Sequence, residues 1–266
     1  MTKISSDTVI WITGASSGIG AQLTYQINQK GAKTIISSRR QKELENVRNN
    51  CKYPDNVSII TLDLADTESL PAKAKEAESL HGRIDILFNN GGISQRDTAI
   101  NTEIDVDRRI MEINYFGTIA LSKAVLPGMI ERNQGHHVIT SSAVGIISTP
   151  FRSAYAASKH ALHGFYDALR AEHHKNNIQV TIACPGFIKT DISKNALTGD
   201  GSVLGTMDKA QDNGMSPQEC AVRMIKALEN NREEIYIGGF KEVLGIYVKR
   251  FFPGVFSNIV RKMAVR

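Results

Sequence analysis

Short β-branched runs alternate along the chain with longer segments of helical period, and this alternation narrows the possible folds more than any other feature. The runs are Thr8–Thr13, Lys33–Ser38, Val57–Leu62, Asp85–Asn89, His136–Ser141, Gln179–Cys184 and Glu234–Gly238. Helices are expected at about 18–30, 40–50, 67–80, 102–132, 153–176 and 217–230, bounded by turn residues such as Gly31-Ala32, Pro54-Asp55 and Gly135. Repeated βα units imply an α/β, doubly wound architecture: about seven strands in a mostly parallel sheet, helices on both faces, ligands beyond the carboxyl ends of the strands. No linker or repeat interrupts residues 1–239, which read as one domain around one core. Two stretches fall outside the alternation, a Gly- and Asp-containing segment at 191–215 and a basic, apolar tail at 240–266.

Composition removes several function classes. With 41% hydrophobic and 22% charged residues, the chain is neither disordered nor collagen-like. Cys51, Cys184 and Cys220 are scattered and form no CxxC pair, so neither a disulfide framework nor a zinc site is expected, and a reducing, cytoplasmic setting follows. The first residues lack a basic start followed by an apolar run, and no stretch of about 18 apolar residues occurs, so neither a signal peptide nor a spanning helix is expected. The net charge of +5 is confined to the tail, where Lys241, Lys249, Arg250, Arg261, Lys262 and Arg266 face the single acid Glu242. No nucleic-acid motif accompanies those bases, and a nucleic-acid partner is not expected.

The first run leads directly into Thr13-Gly14-Ala15-Ser16-Ser17-Gly18-Ile19-Gly20, after which a helix begins. Glycines there permit a tight turn, let a pyrophosphate approach without meeting a Cβ, and leave N–H groups at a helix N-terminus aimed at an anion. The spacing departs from G-x-G-x-x-G, but strand before and helix after favour a nucleotide over a plain turn, and make the fold a Rossmann fold. At the end of the second run, where an acid would bind the ribose 2′-hydroxyl of NAD, stand Ser38, Arg39 and Arg40. Their hydroxyl and guanidinium donors suit a 2′-phosphate, so the expected cofactor is NADP(H); the alternative is that an arginine merely opens the next helix.

Tyr155 and Lys159 lie four apart, on one face of an expected helix. An ammonium near a phenol stabilises the phenolate and brings its pKa toward neutrality, and Ser142, at the end of the fifth run, can hold a substrate oxygen beside it. The same spacing also arises by chance on helix surfaces.

These residues together resemble the short-chain dehydrogenases/reductases, over roughly residues 8–238. The resemblance rests on Thr13-Gly14…Gly18-Ile19-Gly20, Asp63-Leu64, Asn89-Asn90-Gly91, Asn114-Tyr-Phe-Gly117, Ser142, Tyr155/Lys159 and Pro185-Gly186…Thr190, seven motifs in order. It implies Tyr155 as general acid or base, Lys159 lowering its pKa and holding the nicotinamide ribose, Ser142 orienting the substrate oxygen and Asn114 completing a proton relay. It also implies cofactor contacts along the glycine turn (Gly14, Ser16, Ser17, Gly18, Ile19, Gly20), Asp63 and Leu64 at the adenine, and Asn89 and Gly91 beside the adenosine ribose. Pro185, Gly186, Ile188 and Thr190 would follow the nicotinamide end. One departure is Asn-Asn-Gly-Gly at 89–92, where the family usually has Asn-Asn-Ala-Gly. The family further implies a homodimer or homotetramer on the helices at 102–132 and 153–176.

The resulting expectation is an NADPH-dependent reductase of hydrophobic carbonyls. The alternatives are an NADP-binding regulator without turnover, or an alcohol dehydrogenase working oxidatively. The histidines (His136-His137, His160, His163, His173-His174) lack an HExxH frame and read as solvated or helix-packing, and Cys184 reads as small buried filler. Segment 191–215 is expected to be a lid whose Leu197, Val203, Leu204, Met207 and Met215 form an apolar wall, with Arg96 available for an acidic substrate group. For the tail, packing against its own domain or a partner is set against contact with an anionic membrane.

Overall fold

A computed structural model describes residues 3–262 of the chain. Its elements run β1 (Val9–Thr13), α1 (Gly18–Gln29), β2 (Lys33–Ser38), α2 (Gln41–Asn49), β3 (Val57–Thr61), α3 (Leu70–His81) and β4 (Ile86–Asn89). Then come α4 (Ile104–Met111), a π-helical turn (Glu112–Phe116), α5 (Gly117–Glu131), β5 (Gly135–Thr140), α6 (Ser153–Glu172) and β6 (Ile178–Pro185). The chain closes with α7 (Lys209–Asp212), α8 (Pro217–Glu229), β7 (Glu234–Ile237), α9 (Phe240–Phe251) and α10 (Pro253–Val260).

The strands form one parallel sheet in the order β3-β2-β1-β4-β5-β6-β7. This is the doubly wound α/β architecture anticipated from the alternation. The order reverses between β1 and β4, which pair with Trp11 opposite Leu87, so the loops leaving these two strands diverge to opposite faces and open a crevice. Both faces of the sheet are covered, which explains why β1 reads as an uninterrupted apolar run. Ile10 and Ile12 pack into the layer of α1 and α8, while Val9 and Trp11 pack into the layer of α3, α5 and α6. Local chemistry sets the ends: Ser216 Oγ caps α8 by accepting from Glu219 N at 3.1 Å, with Pro217 at the first helical position.

Two expectations change, and the tail takes one of its expected courses. The helix expected over 102–132 is divided, because one extra residue in the π turn at 112–116 breaks the regular ladder. His136 and His137 are not solvated: they lie in β5 at 2% and 0% exposure, His136 Nε2 against Thr181 Oγ1 at 2.8 Å and His137 beside the Tyr166 ring. The tail is helical and docks on its own chain, where Ile246 and Phe256 pack with Ala143 and Ile147, and Lys249 donates to Ile146 O. Arg266 lies outside the described residues. Among those described, no helix is long and apolar enough to cross a membrane.

Burial pushes the His137 imidazole from 6.5 down to about 4, and both its ring nitrogens lack partners. The folded protein therefore holds fewer protons here than the unfolded chain between those two values, and stability falls as pH drops through that window. Melting temperature should decline from pH 6.5 to pH 4, and His137→Leu should flatten that decline by removing a contribution of about 1.4 kcal/mol per unit of depression; equal slopes in calorimetry would assign the acid sensitivity elsewhere.

Candidate active site

The carboxyl ends of the central strands open into one cleft of about 1660 Å³. Single small-molecule sites span ~300–1,000 Å³, so this one accommodates a large ligand with a second beside it.

The floor is the turn from β1 into α1. Gly14 and Gly18 adopt left-handed φ of +64° and +56°. A Cβ on Gly14 would stand 2.7 Å from Gly91 Cα, and one on Gly18 would stand 3.1 Å from Thr190 Cγ2, so the turn approaches the loops after β4 and β6 closely. Ser16, Ser17, Gly18 and Ile19 line the cleft at the N-terminus of α1. Gly20 stands behind them, where its missing side chain lets α1 seat on Gly14 O. The rim carries Ser38, Arg39, Arg40, Asp63 and Leu64. Arg40 reaches across the turn, donating from Nη2 to Ser16 Oγ at 2.8 Å and Ser17 Oγ at 2.9 Å, so it does more than open α2. Arg39 faces Asp63 at 3.7 Å in solvent.

After β4 the neighbouring asparagines point to different places. Asn89 turns away from the cleft, its amide donating to Ser122 Oγ at 2.9 Å and Tyr166 OH at 3.2 Å between α5 and α6. Asn90 lines the cleft, donating to Thr13 O at 3.2 Å and Gly14 O at 3.3 Å and accepting from Thr140 Oγ1 at 3.2 Å. Two adjacent strand-end residues point to opposite faces, and the shared residue type conceals which one faces inward. The space of the methyl missing at Gly91 holds Leu64, whose Cδ1 lies 2.7 Å from the position an added Cβ would take.

Ser142, Tyr155 and Lys159 converge at the far end. Ser142 Oγ donates to Pro185 O at 3.3 Å, accepts from Val144 N at 3.3 Å, and lies near enough to the Tyr155 phenol to favour its ionised form. Lys159 donates to Thr140 O at 2.8 Å, with its ammonium 5.8 Å from the centre of the Tyr155 ring. Burial holds the Tyr155 phenol above its ordinary pKa, and Arg96, Ser142 and Arg152 pull it back. Burial also brings Lys159 down to about 8. The Asn114 side chain, in the π turn, is engaged with Ile93 N, Ile93 O and Ser158 Oγ at 2.8–3.0 Å, bracing the β4 loop against α6. Gly92 separates it from Lys159: a Cβ there would lie 3.0 Å from Asn114 Oδ1 and 3.6 Å from Lys159 Nζ.

Pro185, Gly186, Ile188 and Thr190 continue the wall. Of the five apolar residues expected from 191–215, Leu197, Val203 and Met215 line the cleft and Leu204 and Met207 do not. That segment is tied to the β4 loop, with Arg96 N donating to Leu197 O at 2.8 Å and Leu197 N to Ser94 O at 2.9 Å. Sequence reading missed Arg152, buried at 4% exposure, and the tail residues Leu244, Val248, Phe256 and Ile259, which face the same space. Arg152 directly precedes α6, but its partner Asp208 stands 56 residues away, so spacing gave no signal. Cys184 is buried in the core, as expected, with two polar side chains beside it. His163, Cys184 and Glu234 place one ligand atom each within 4.8 Å of one another, and burial with Glu234 raises the thiol well above its ordinary pKa.

A family model described as short chain dehydrogenase matches residues 8–200. The chain belongs to the short-chain dehydrogenase/reductase family. It is 42% identical to the dehydrogenase/reductase SDR family member 7B of Xenopus laevis, over 96% of this chain and 81% of that protein. It is 44% identical to the dehydrogenase/reductase SDR family protein 7-like of Anopheles gambiae, over 96% and 83%. A short-chain dehydrogenase from Streptomyces avermitilis has a similar structure, with TM-score 0.83 and 28% identity over 99% of this chain and all of that one. Membership of the dehydrogenase/reductase family makes the protein an oxidoreductase acting on a small molecule with a nicotinamide cofactor. The glycine turn, which a Cβ would obstruct, the α1 N-terminus and the Arg40 guanidinium suit such a dinucleotide.

The two glycines at the crossing should respond differently to an added methyl. Gly14→Ala sets a Cβ against backbone at positive φ, and should cost about 1–3 kcal/mol of stability with at least a tenfold loss of dinucleotide affinity. Gly91→Ala meets only the movable end of Leu64, and should melt close to the native protein; similar losses for both in thermal shift and fluorescence titration would contradict this account of the crossing.

Proposed function

We propose that the protein is an NADPH-dependent carbonyl reductase of hydrophobic small molecules, with Tyr155 as the group that moves the proton. The observation that carries this reading is the buried Tyr155 phenol beside Ser142 and Lys159, in a cleft large enough for a dinucleotide and a substrate together. When bound, the cofactor supplies the hydride to the carbonyl carbon. Tyr155, kept protonated by burial, donates its phenolic proton to the carbonyl oxygen, and Ser142 holds that oxygen beside it. Lys159 then faces the phenolate at 5.8 Å from the ring, and Arg96 and Arg152 add positive charge that stabilises the ionised form. Asn114 acts by fixing the β4 loop on α6, leaving any relay to pass through groups other than its engaged amide. The names of the SDR family member 7B relatives agree with a dehydrogenase or reductase and state no substrate. We place a homodimer or homotetramer contact on the helices within 102–132 and 153–176, and a membrane contact on the exposed apolar face of α9 and α10, with Phe240 at 81% and Phe251 at 68% exposure.

A panel of aliphatic and aromatic ketones tests the assignment by NADPH consumption. Tyr155→Phe should lower kcat/KM by at least about a hundredfold while NADPH binding stays within a few-fold, since a positioned acid contributes about 10²–10⁴; an unaffected turnover would remove Tyr155 from the chemistry.

Preference for the 2′-phosphate rests on Ser38, Arg39 and Arg40 at the rim, with Arg40 already bridging to Ser16 and Ser17. The triple change Ser38→Asp, Arg39→Leu and Arg40→Ala should invert the ratio of kcat/KM for NADPH and NADH by about a hundredfold or more. An unchanged ratio would place cofactor choice elsewhere.

A further inference from the structure

The two arginines that bear on the Tyr155 phenol belong to a larger buried charge cluster in the cleft. Arg96 Nε and Arg152 Nη2 both donate to one oxygen of Asp208, at 2.9 and 3.2 Å. The three side chains are 8%, 4% and 10% exposed, so two guanidinium groups share one carboxylate out of bulk water. Arg96 is otherwise satisfied, with Nη1 on Ser94 Oγ at 2.5 Å and Gln95 O at 2.9 Å. Arg152 is not. Its Nη1 has only a long contact to Thr149 Oγ1 at 3.4 Å, its plane lies over the Phe187 ring at 5.5 Å, and its buried Nε has no partner. Buried polar groups are normally hydrogen-bonded, and a buried charge is normally paired. Here one positive charge and one donor remain over, lining the same cleft as Tyr155. Of the other acids nearby, Glu242 is engaged by the N–H groups of Phe187 and Gly239, Asp97, whose backbone is bridged to that of Arg152, accepts from Thr98 N and Gly199 N, and Asp191 and Glu219 line the cleft without a bond to Arg152.

We propose that Arg152, positioned by Asp208 and assisted by Arg96, binds an anionic group of the substrate, a carboxylate or a phosphate, next to the carbonyl that is reduced. This deepens the reductase reading and rests on it. Charge balance decides the sign: an anion brings the two guanidinium groups and Asp208 to neutrality and supplies the acceptor that Arg152 Nε lacks. A neutral ketone would leave the excess charge buried. Past this anchor the cleft is walled by Ile147, Leu244, Val248, Phe256 and Ile259, so the remainder of the substrate is an apolar chain. The substrate class is therefore an amphiphilic ketone, anionic near the carbonyl and aliphatic beyond it. Burial and the like charge of Arg96 bring Arg152 down to about 10, which still leaves it charged at neutral pH.

The test uses the full chain and matched probes: 4-oxononanoate with its methyl ester, and 2-oxooctyl phosphate with 2-nonanone. At least one anion should exceed its neutral counterpart in kcat/KM by about 30-fold, the scale expected when a charged hydrogen-bonding partner is lost from a buried site. Whichever anion does so identifies carboxylate or phosphate. Arg152→Gln should reduce that ratio to about 3-fold or less, Arg152→Lys should restore part of it, and Asp208→Asn should raise it by freeing a second guanidinium. The ratio cancels any general effect on Tyr155, and NADPH titration of each variant identifies a misfolded one. Neutral ketones reduced as well as the anions, or a preference unchanged in both Arg152 variants, would overturn the anion site while leaving the reductase. Arg152-dependent binding of the anions in calorimetry without turnover would uphold the anion site and remove the reductase reading.

Discussion

The hydroxyl of Thr13 joins the two halves of the cleft. It donates to Phe88 O at 3.3 Å and accepts from the N–H groups of Asn90 and Gly91 at 3.1 and 3.0 Å, so one side chain at the end of β1 fixes the loop that leaves β4. The Asn90 amide returns the contact through Thr13 O and Gly14 O. These bonds form where the strand order reverses, the one place on a parallel sheet where neighbouring loops separate and leave a crevice. The close approach of Gly14 to Gly91 follows from them, as does the positive φ that only glycine adopts there without strain. The anchor holding the crevice open at its base is thus polar and buried, and the glycines are its consequence.

What was legible in the sequence divides along the range of the interactions concerned. β1 was readable because five consecutive buried residues are a local pattern, and the glycine turn because it lies between a strand and a helix. The Tyr155–Lys159 pair was readable because four residues return to the same face of α6. The π turn was not, since one additional residue in a helical stretch leaves the apolar period nearly intact while changing the backbone ladder at Asn114. Asn89 and Asn90 show a related limit: alternation says they face opposite sides, but nothing local says which side holds the cleft. The Asn89 side chain is the one held between α5 and α6, and Asn90 is the one that lines the cleft.

Charge was the least legible property. The sum over the sequence placed the excess on the tail, and that is correct as arithmetic. The electrostatics of the site come instead from Arg96 and Asp208, 112 residues apart, with Arg152 between them in sequence. The charges around the Tyr155 phenol show the same limitation. Lys159 is near in sequence, whereas the two arginines arrive from different loops and act on the phenol through a buried, low-dielectric space. His163, Cys184 and Glu234 likewise come together from α6, β6 and β7, with no spacing that would have announced them.

The tail turns on its single acid. Glu242 accepts from Phe187 N at 3.1 Å and from Gly239 N, and the absent side chain of Gly186 leaves the room it occupies, since a Cβ there would lie 2.7 Å from its carboxyl carbon. That contact fixes the register of α9 on the loop after β6, and Lys249 completes it two turns later on Ile146 O. With the helix fixed, Leu244 and Val248 face the cleft, while Tyr247 and Phe251 are turned outward at 50% and 68% exposure. The segment set apart by composition is therefore a wall of the cleft as much as an outer surface.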